Sequence, residues 1–311
     1  MNKSSEILSF ETSLGARIKI PLGIVEGKQP GPTAIVTAGV HGCEYCGIVA
    51  AMRLFRELDP QQVHGTVKII PVTSTLAFEE RSMFTSPADR LNLNRMFPGD
   101  PNGSYSQVLA YHFMDIVKHA DYHIDLHGGD MVEDLEPFSI YHCGEGKELD
   151  GKSYEIAKYY GLPNIVSTFT DGPWPDNGTT YANVSRKLHI PSAIVEVGGK
   201  GILDHASIQM HLTGLYNVLK HFGNLDGVAE EISGIKVFSN MKWVYSNKAG
   251  VFFLATEVGK TVEEGQFIGH VETYFGEVIE EVFSTARGKV LFTTTSPAVK
   301  ENGLLLGIGT Y

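Results

Sequence analysis

Residues 33–58, TAIVTAGVHGCEYCGIVAAMRLFREL, constrain the fold more than any other stretch of the chain. A β-branched apolar run over 33–40 reads as a strand buried on both faces, the kind found in parallel sheets. It stops at His41-Gly42-Cys43-Glu44 and gives way to a helical pattern with Ile48, Val49, Met52 and Phe55 on one face and Arg53, Arg56 and Glu57 elsewhere. A buried strand feeding an amphipathic helix predicts an α/β sheet, and such sheets place their ligands beyond the carboxyl ends of their strands. His41 and Glu44 stand at such an end, an imidazole and a carboxylate three residues apart, able to meet at one metal ion if the turn curls inward. The competing reading is a helix N-terminus, with Glu44 satisfying free backbone N–H groups. The choice turns on whether equivalent strand ends supply further ligands.

Two later strands do. Residues 120–126 lead into His127-Gly128-Gly129, with Asp125 on the same face as His127 and placed to orient its ring. Residues 192–197, SAIVEV, close on Gly198-Gly199 and carry Glu196 inside an apolar run. An unpaired carboxylate buried there costs several kcal/mol, so Glu196 is expected to be paired, metal-associated or shifted in pKa. Together His41, Glu44 and His127 offer the two nitrogens and one carboxylate of a hydrolytic zinc site with an open position for water, and Glu196 is the candidate general base.

The remaining chain alternates strands and helices up to about residue 222. Residues 7–36 read as strands with turns at Gly23, Gly27 and Pro30-Gly31-Pro32; 65–72 and 137–142 read as strands; 107–119, 152–161, 180–189 and 202–222 read as helices. Two stretches lack periodicity. Residues 74–106 carry Arg81, Asp89, Arg90, Asn94 and Arg95 between anchors Phe84, Pro87, Phe97 and Pro98, which favours a packed binding loop. Residues 167–179 hold Trp174 between Pro173 and Pro175 and form a candidate lid.

From residue 233 the texture changes to short strands and turns, dividing the chain into a domain over 1–232 and a small all-β domain over 233–311. Residues 249–271 and 287–309 repeat: Gly250, Gly265 and Gly269 map onto Gly288, Gly303 and Gly307 at a constant shift of 38. This module resembles the biotinyl/lipoyl-like barrel-sandwich fold. No lysine stands between the repeats at 270–281, so a swinging-arm role is not expected; a cap or an oligomer contact fits better.

A formal charge of −11 argues against nucleic acid as a partner, while leaving room for a small anionic substrate held by a few pocket arginines. No run approaches the roughly 20 apolar residues of a membrane helix, and the polar first residues do not read as a signal peptide. Cys43, Cys46 and Cys143 make no disulfide framework, so a reduced, cytoplasmic setting is expected, with Cys43 and Cys46 packed as small buried residues despite their Cys-x-x-Cys spacing. Exposed edges on the β module invite a homo-oligomer.

Four motifs, HGCE (His41, Glu44), NLNRMFPGD (Asn94, Arg95), DLHGG (His127) and VEVGG (Glu196), resemble those of the succinylglutamate desuccinylase/aspartoacylase family, a branch of the zinc carboxypeptidase-like fold, along nearly the whole chain. The resemblance implies an α/β domain with a mixed, largely parallel sheet flanked by helices. It implies one Zn²⁺ per chain on His41, Glu44 and His127, and Glu196 as the group that activates water. Asn94 and Arg95 would hold a substrate carboxylate. An upstream arginine would polarise the scissile carbonyl; Arg81 is the candidate and Arg90 its competitor. The implied activity is hydrolysis of a linear, non-peptide amide in a small N-acyl amino acid. A metallocarboxypeptidase would use the same residues, and a non-enzymatic binding module is the remaining reading.

Overall fold

The computed structural model describes residues 1–169 and 178–311. The hairpin β1 (Asn2–Glu11) and β2 (Arg17–Glu26) precedes β3 (Gln29–Ala38), α1 (Tyr45–Glu57) and β4 (His64–Ile70). There follow α2 (Thr75–Glu79), α3 (Tyr105–Val117), β5 (Tyr122–His127), β6 (Glu133–Leu135), β7 (Phe138–Cys143), α4 (Lys147–Tyr160) and β8 (Asn164–Phe169). The α/β part closes with α5 (Thr180–Leu188), β9 (Ser192–Glu196), α6 (His205–His221) and β10 (Lys236–Phe238).

These elements build a nine-stranded mixed sheet in the order β1-β2-β4-β3-β5-β9-β7-β8-β10. Its centre, β4-β3-β5-β9, is parallel. The chain leaves β3 for β4 on one side and then returns for β5 on the other, so the strand order reverses at β3. That reversal opens a crevice at the carboxyl ends of β3 and β5. Both faces of β3 are covered. Ala34, Val36 and Ala38 pack with α1, α4 and α6, whereas Ile35 packs with α3. Full coverage explains why this strand reads as an unbroken apolar run rather than an alternating one.

Several local expectations change. The buried face of α1 is Cys46, Gly47, Ala50, Ala51 and Leu54 together with Ile48, while Met52 is 46% exposed. Small residues let α1 approach the sheet closely: a Cβ on Gly47 would stand 3.1 Å from the Leu126 Cβ. Of the larger side chains expected to be buried, Ile48 is, and Val49 and Phe55 pack partly beside that contact. Gly23 is within β2, where a Cβ would strike the Phe55 ring at 2.6 Å, and is not a turn. Pro30-Gly31-Pro32 falls inside an irregularity at the start of β3. The stretch 74–106 contains α2 and a short 3₁₀ helix (Leu93–Arg95), and the apparent loop at 167–179 begins inside β8. Trp174 and its flanking prolines lie outside the described residues.

The last part is all strand: β11 (Asn240–Tyr245), β12 (Gly250–Leu254), β13 (Thr261–Val262), β14 (Phe267–Glu272), β15 (Val278–Phe283), β16 (Gly288–Thr294), β17 (Ala298–Val299) and β18 (Leu304–Thr310). The repeat has a structural counterpart. β12, β13 and β14 correspond to β16, β17 and β18, and each short strand crosses to the other unit: β13 pairs with β16 and β17 with β12. Gly250 and Gly288 are equivalent and equally crowded, since a Cβ would lie 2.3 Å from the Glu272 carbonyl oxygen and 2.2 Å from that of Gly309. Val262, Ile268, Val290 and Leu305 fill the core between the two sheets.

The two parts interlock across residue 233. β6 adds to the β11-β18-β16-β13 sheet through β16, and β10 closes the edge of the large sheet through β8. Among the described residues no helix is long and apolar enough to cross a membrane.

Candidate metal and active site

The crevice gathers the residues singled out in the sequence. His127 ends β5 and Glu196 ends β9, and the two are paired across the parallel ladder. His41 and Glu44 lie in the turn after β3. Gly42 permits that turn, because a Cβ there would come within 2.3 Å of the Phe78 backbone nitrogen. Glu44 occupies the position before α1 but makes no side-chain capping bond. Its carboxylate turns away from the helix: Oε1 is 2.6 Å from His41 Nδ1 and Oε2 is 3.0 Å from His127 Nδ1. Ligand atoms of the three residues lie within 4.8 Å of one another.

The residues fit a metal ion. Both imidazoles direct Nδ1 at the cluster, while each Nε2 is held from outside: His41 by Asn92 Oδ1 at 3.0 Å and His127 by Asp125 Oδ2 at 3.0 Å. Outer partners of this type fix the tautomer and leave the inner lone pair for a metal. Glu44 Oε2 is buried and, despite its closeness to His127, has no partner in hydrogen-bond geometry. Two nitrogens and a carboxylate are a zinc-type donor set.

Electrostatics set the protonation of the cluster. Burial opposes charge on His127, but Glu44 and Asp125 outweigh it and raise the imidazole well above its ordinary value. Burial also works against an ionised Glu44, and the two histidines overcome it and hold the carboxyl below its usual range. Burial pushes Glu196 up to about 8; Glu44 and Glu133 add to the shift and His127 opposes it. Glu196 lines the cavity, deep below the surface yet open to the interior space.

That cavity has a volume of about 500 Å³ and reaches from the His-Glu-His cluster to the all-β part, which contributes Trp243, Phe292 and Lys300. Asn94 and Arg95 line it as well. The Arg95 guanidinium donates to the Asn94 carbonyl at 2.6 Å and has no carboxylate partner among the described residues. Part of the Arg95 side chain is open to solvent, and desolvation by the protein around it lowers its pKa, although a guanidinium stays protonated at any working pH. Asn94 is fixed by the Thr180 amide, which donates to its Oδ1 at 2.9 Å, and Gly178 packs against the Arg95 carbonyl, which a Cβ would approach to 2.3 Å.

Arg81 is not brought to this cavity, and neither is Arg90. Both are exposed, at φ +51° and +59°, and neither is a lining residue. Phe84 takes the place on the wall instead, with its amide donating to Asp130 Oδ2 at 2.8 Å. This part of the loop turns Phe84 inward and Arg81 and Arg90 to solvent. Sequence reasoning also passed over Asn92, Glu133 and Thr180. Asn92 was legible, since it lies two residues before Asn94 in the same motif; Thr180 reaches Asp125 only through the folding of α5 onto β5. Cys43 and Cys46 are buried free thiols, as their packing role requires.

The catalytic-domain model of the succinylglutamate desuccinylase/aspartoacylase family matches residues 30–222. An N-alpha-acetyl-L-2,4-diaminobutyric acid deacetylase from Halomonas elongata is 31% identical over 269 residues, covering 85% of this chain and 77% of the relative. The product-bound structure of the ectoine utilization protein EutE (DoeB) from Ruegeria pomeroyi superposes with a TM-score of 0.88 at 26% identity, covering 100% of this chain and 95% of that one. A succinylglutamate desuccinylase/aspartoacylase structure from Rhodobacter sphaeroides gives 0.85 at 27% identity, with 98% and 94% covered. With its fold, motifs and strand-end cluster in agreement with these matches, the chain belongs to the succinylglutamate desuccinylase/aspartoacylase family.

Proposed function

We propose that the protein is a zinc-dependent deacylase that hydrolyses the amide bond of small N-acyl amino acids. The observation that carries this reading is the convergence of His41 Nδ1, His127 Nδ1 and the Glu44 carboxylate in one cavity with Glu196 and Arg95. The deacetylase activity named for the Halomonas elongata relative supports the reaction class. Free thiols at Cys43 and Cys46 suit the cytoplasmic location that belongs to the same reading.

His41, Glu44 and His127 would hold the zinc ion, which supplies Lewis acidity and lowers the pKa of water at the site. Glu196 does the proton work. Burial raises its carboxyl into the range near neutrality, where the ionised form can take a proton from the attacking water and the protonated form can return it to the leaving amine. Arg95 receives the substrate carboxylate through its fork of donors, and Asn94 sets the position of that arginine. The cavity wall from Trp243 and Phe292 closes one side and favours small substrates over peptides. With Arg81 and Arg90 outside the cavity, no arginine is assigned to the scissile carbonyl.

The test is to incubate zinc-loaded protein with N-acetyl amino acids and with dipeptides. Release of the free amino acid from the former is expected. Cleavage of dipeptides alone would establish a carboxypeptidase instead. Glu196→Gln should abolish turnover while zinc content stays at the wild-type level, and retained activity in that variant would remove Glu196 from its role.

A further inference from the structure

β1 forms one edge of the nine-stranded sheet and pairs only with β2 among the described strands. All ten of its residues do so in a single register without a bulge. A long, regular, open edge is a template for another strand, and proteins blunt such edges with a bulge, a proline or a covering segment. β1 contains no proline and no bulge.

The register fixes which backbone groups point outward. Ile7 stands opposite Pro21, which has no N–H, so this is a non-hydrogen-bonded pair and the Ile7 N–H and C=O turn away from β2. By alternation the same holds for Lys3, Ser5, Ser9 and Glu11. Their side chains share the face of α1. Lys3 Nζ lies 5.1 Å from the centre of the Phe55 ring and donates to the Arg56 and Leu58 carbonyls at 2.9 and 2.8 Å. An apolar groove runs beside them, lined by Ile7, Leu22, Met52, Phe55 and Ile69, with Ile7 65% exposed.

Charge decides what covers this edge. Lys3 has no carboxylate partner and Glu11 no cationic partner among the described residues, and along one strand they stand about 27 Å apart. A second β1, antiparallel about a two-fold axis at Ile7, brings such charges together. Lys3 then faces the partner's Glu11, Ser5 faces the partner's Ser9, and Ile7 meets the partner's Ile7. These are the residues whose backbone groups point outward, so they form the hydrogen-bonded pairs, giving about ten hydrogen bonds, the number in a typical interface. Moving the axis to Glu6 sets two Glu6 side chains against each other, and moving it to Leu8 leaves Lys3 and Glu11 unpaired.

We propose that the protein is a two-fold dimer in which the β1 strands of two copies join edge to edge, making one continuous sheet and merging the two grooves around Ile7. Exposed ion pairs add little affinity and fix the register; backbone hydrogen bonds and the covered groove hold the copies together. No residue of β1 or β2 lines the cavity of the His-Glu-His cluster, so the dimer leaves that cavity open and is independent of the reaction assigned to it.

Sedimentation equilibrium of the full chain at about 1 to 100 μM should report twice the mass of one chain, and a monomer throughout would overturn the proposal. Glu11→Lys sets like charges opposite each other at both ends and should weaken association at least about tenfold, as should Lys3→Glu. Mixing the two variants restores both opposite-charge pairs, so they should bind each other at least about tenfold more tightly than either binds itself. Single variants within about twofold of wild type, or a mixture no tighter than either variant alone, place the contact elsewhere and overturn the proposal. Lys3→Glu also loses its bonds to α1. If thermal unfolding shows that it does not fold, Ile7→Pro takes its place, because it removes an outward N–H that β2 does not use. A dimer of unchanged affinity in Ile7→Pro overturns the proposal equally.

Discussion

Replacing Asp125 tests how the site keeps a lone pair directed at the metal position. Asp125 is fully buried and accepts from Thr37 Oγ1 at 2.6 Å, from Thr180 Oγ1, and from His127 Nε2 at 3.0 Å. In Asp125→Ala two of these donors have other acceptors nearby: Thr37 can turn to His123 Nε2 at 2.8 Å, and Thr180 to Asn94 Oδ1 at 3.5 Å. His127 has no alternative on that side. It can keep its proton on Nε2, leaving a buried N–H unpaired at a cost of about 1–3 kcal/mol, or it can move the proton to Nδ1, toward Glu44. The second course preserves stability and uses up the lone pair a metal needs. Zinc affinity in Asp125→Ala should therefore fall about 10- to 100-fold, roughly 1.4–2.7 kcal/mol, as for other lost partners of ligating histidines. Asp125→Asn should lose less, because an amide oxygen in the Oδ2 position still accepts from Nε2 and the Thr37–His123 hydroxyl chain can reverse. Zinc titration against a competing chelator, with ¹⁵N chemical shifts of the His127 ring, measures both effects. A wild-type zinc affinity in Asp125→Ala, or a proton still on Nε2 there, would refute the tautomer argument.

Two further outcomes are expected. His123 and His211 are buried and held neutral, each with a pKa lowered to about 4 by burial. The unfolded chain binds more protons than the folded one between about pH 6.5 and 4, so their contribution is complete above that window and is lost as pH falls through it, on the order of 3 kcal/mol each. Urea unfolding between pH 7 and 4 should show a shallower acid loss in His211→Gln than in wild type, and parallel curves would count against the assignment. Arg95→Lys keeps the charge but not the fork; KM for N-acetyl amino acids should rise about tenfold with zinc content unchanged, and an unaltered KM would place the carboxylate elsewhere.

The His41-Glu44-His127 cluster was legible in the sequence because each member stands at the end of a strong strand signal, where topology rather than long-range packing decides position. His127 and Glu196 are paired neighbours for that reason. The orientation of Arg81 and Arg90 could not be read from the sequence, because the loop containing them and Phe84 has no periodicity and backbone turns with positive φ decide which side chain faces inward. Glu133 was invisible for a different cause. Its strand is three residues long and exists only through pairing with β16, about 160 residues later in the chain, a contact no local pattern encodes. Of the face expected on α1, Ile48 is buried and Val49 and Phe55 pack partly against the core, whereas Met52 is exposed. Close packing on the sheet selected the small Gly47, Ala50 and Ala51, which periodicity of large apolar side chains does not reveal.

The strand exchange across residue 233 ties the unfolding of each part to that of the other. With β6 bonded into one of the distal sheets and β10 at the edge of the proximal one, separating the two parts breaks hydrogen bonds of both. Local opening in such an arrangement involves both layers at once, so amide exchange at β6, β10 and β16 is governed by global rather than segmental unfolding. The seam that ties the two parts together also forms a wall of the cavity, through Val132, Leu135 and Phe292, so a change in the seam is a change in the cavity.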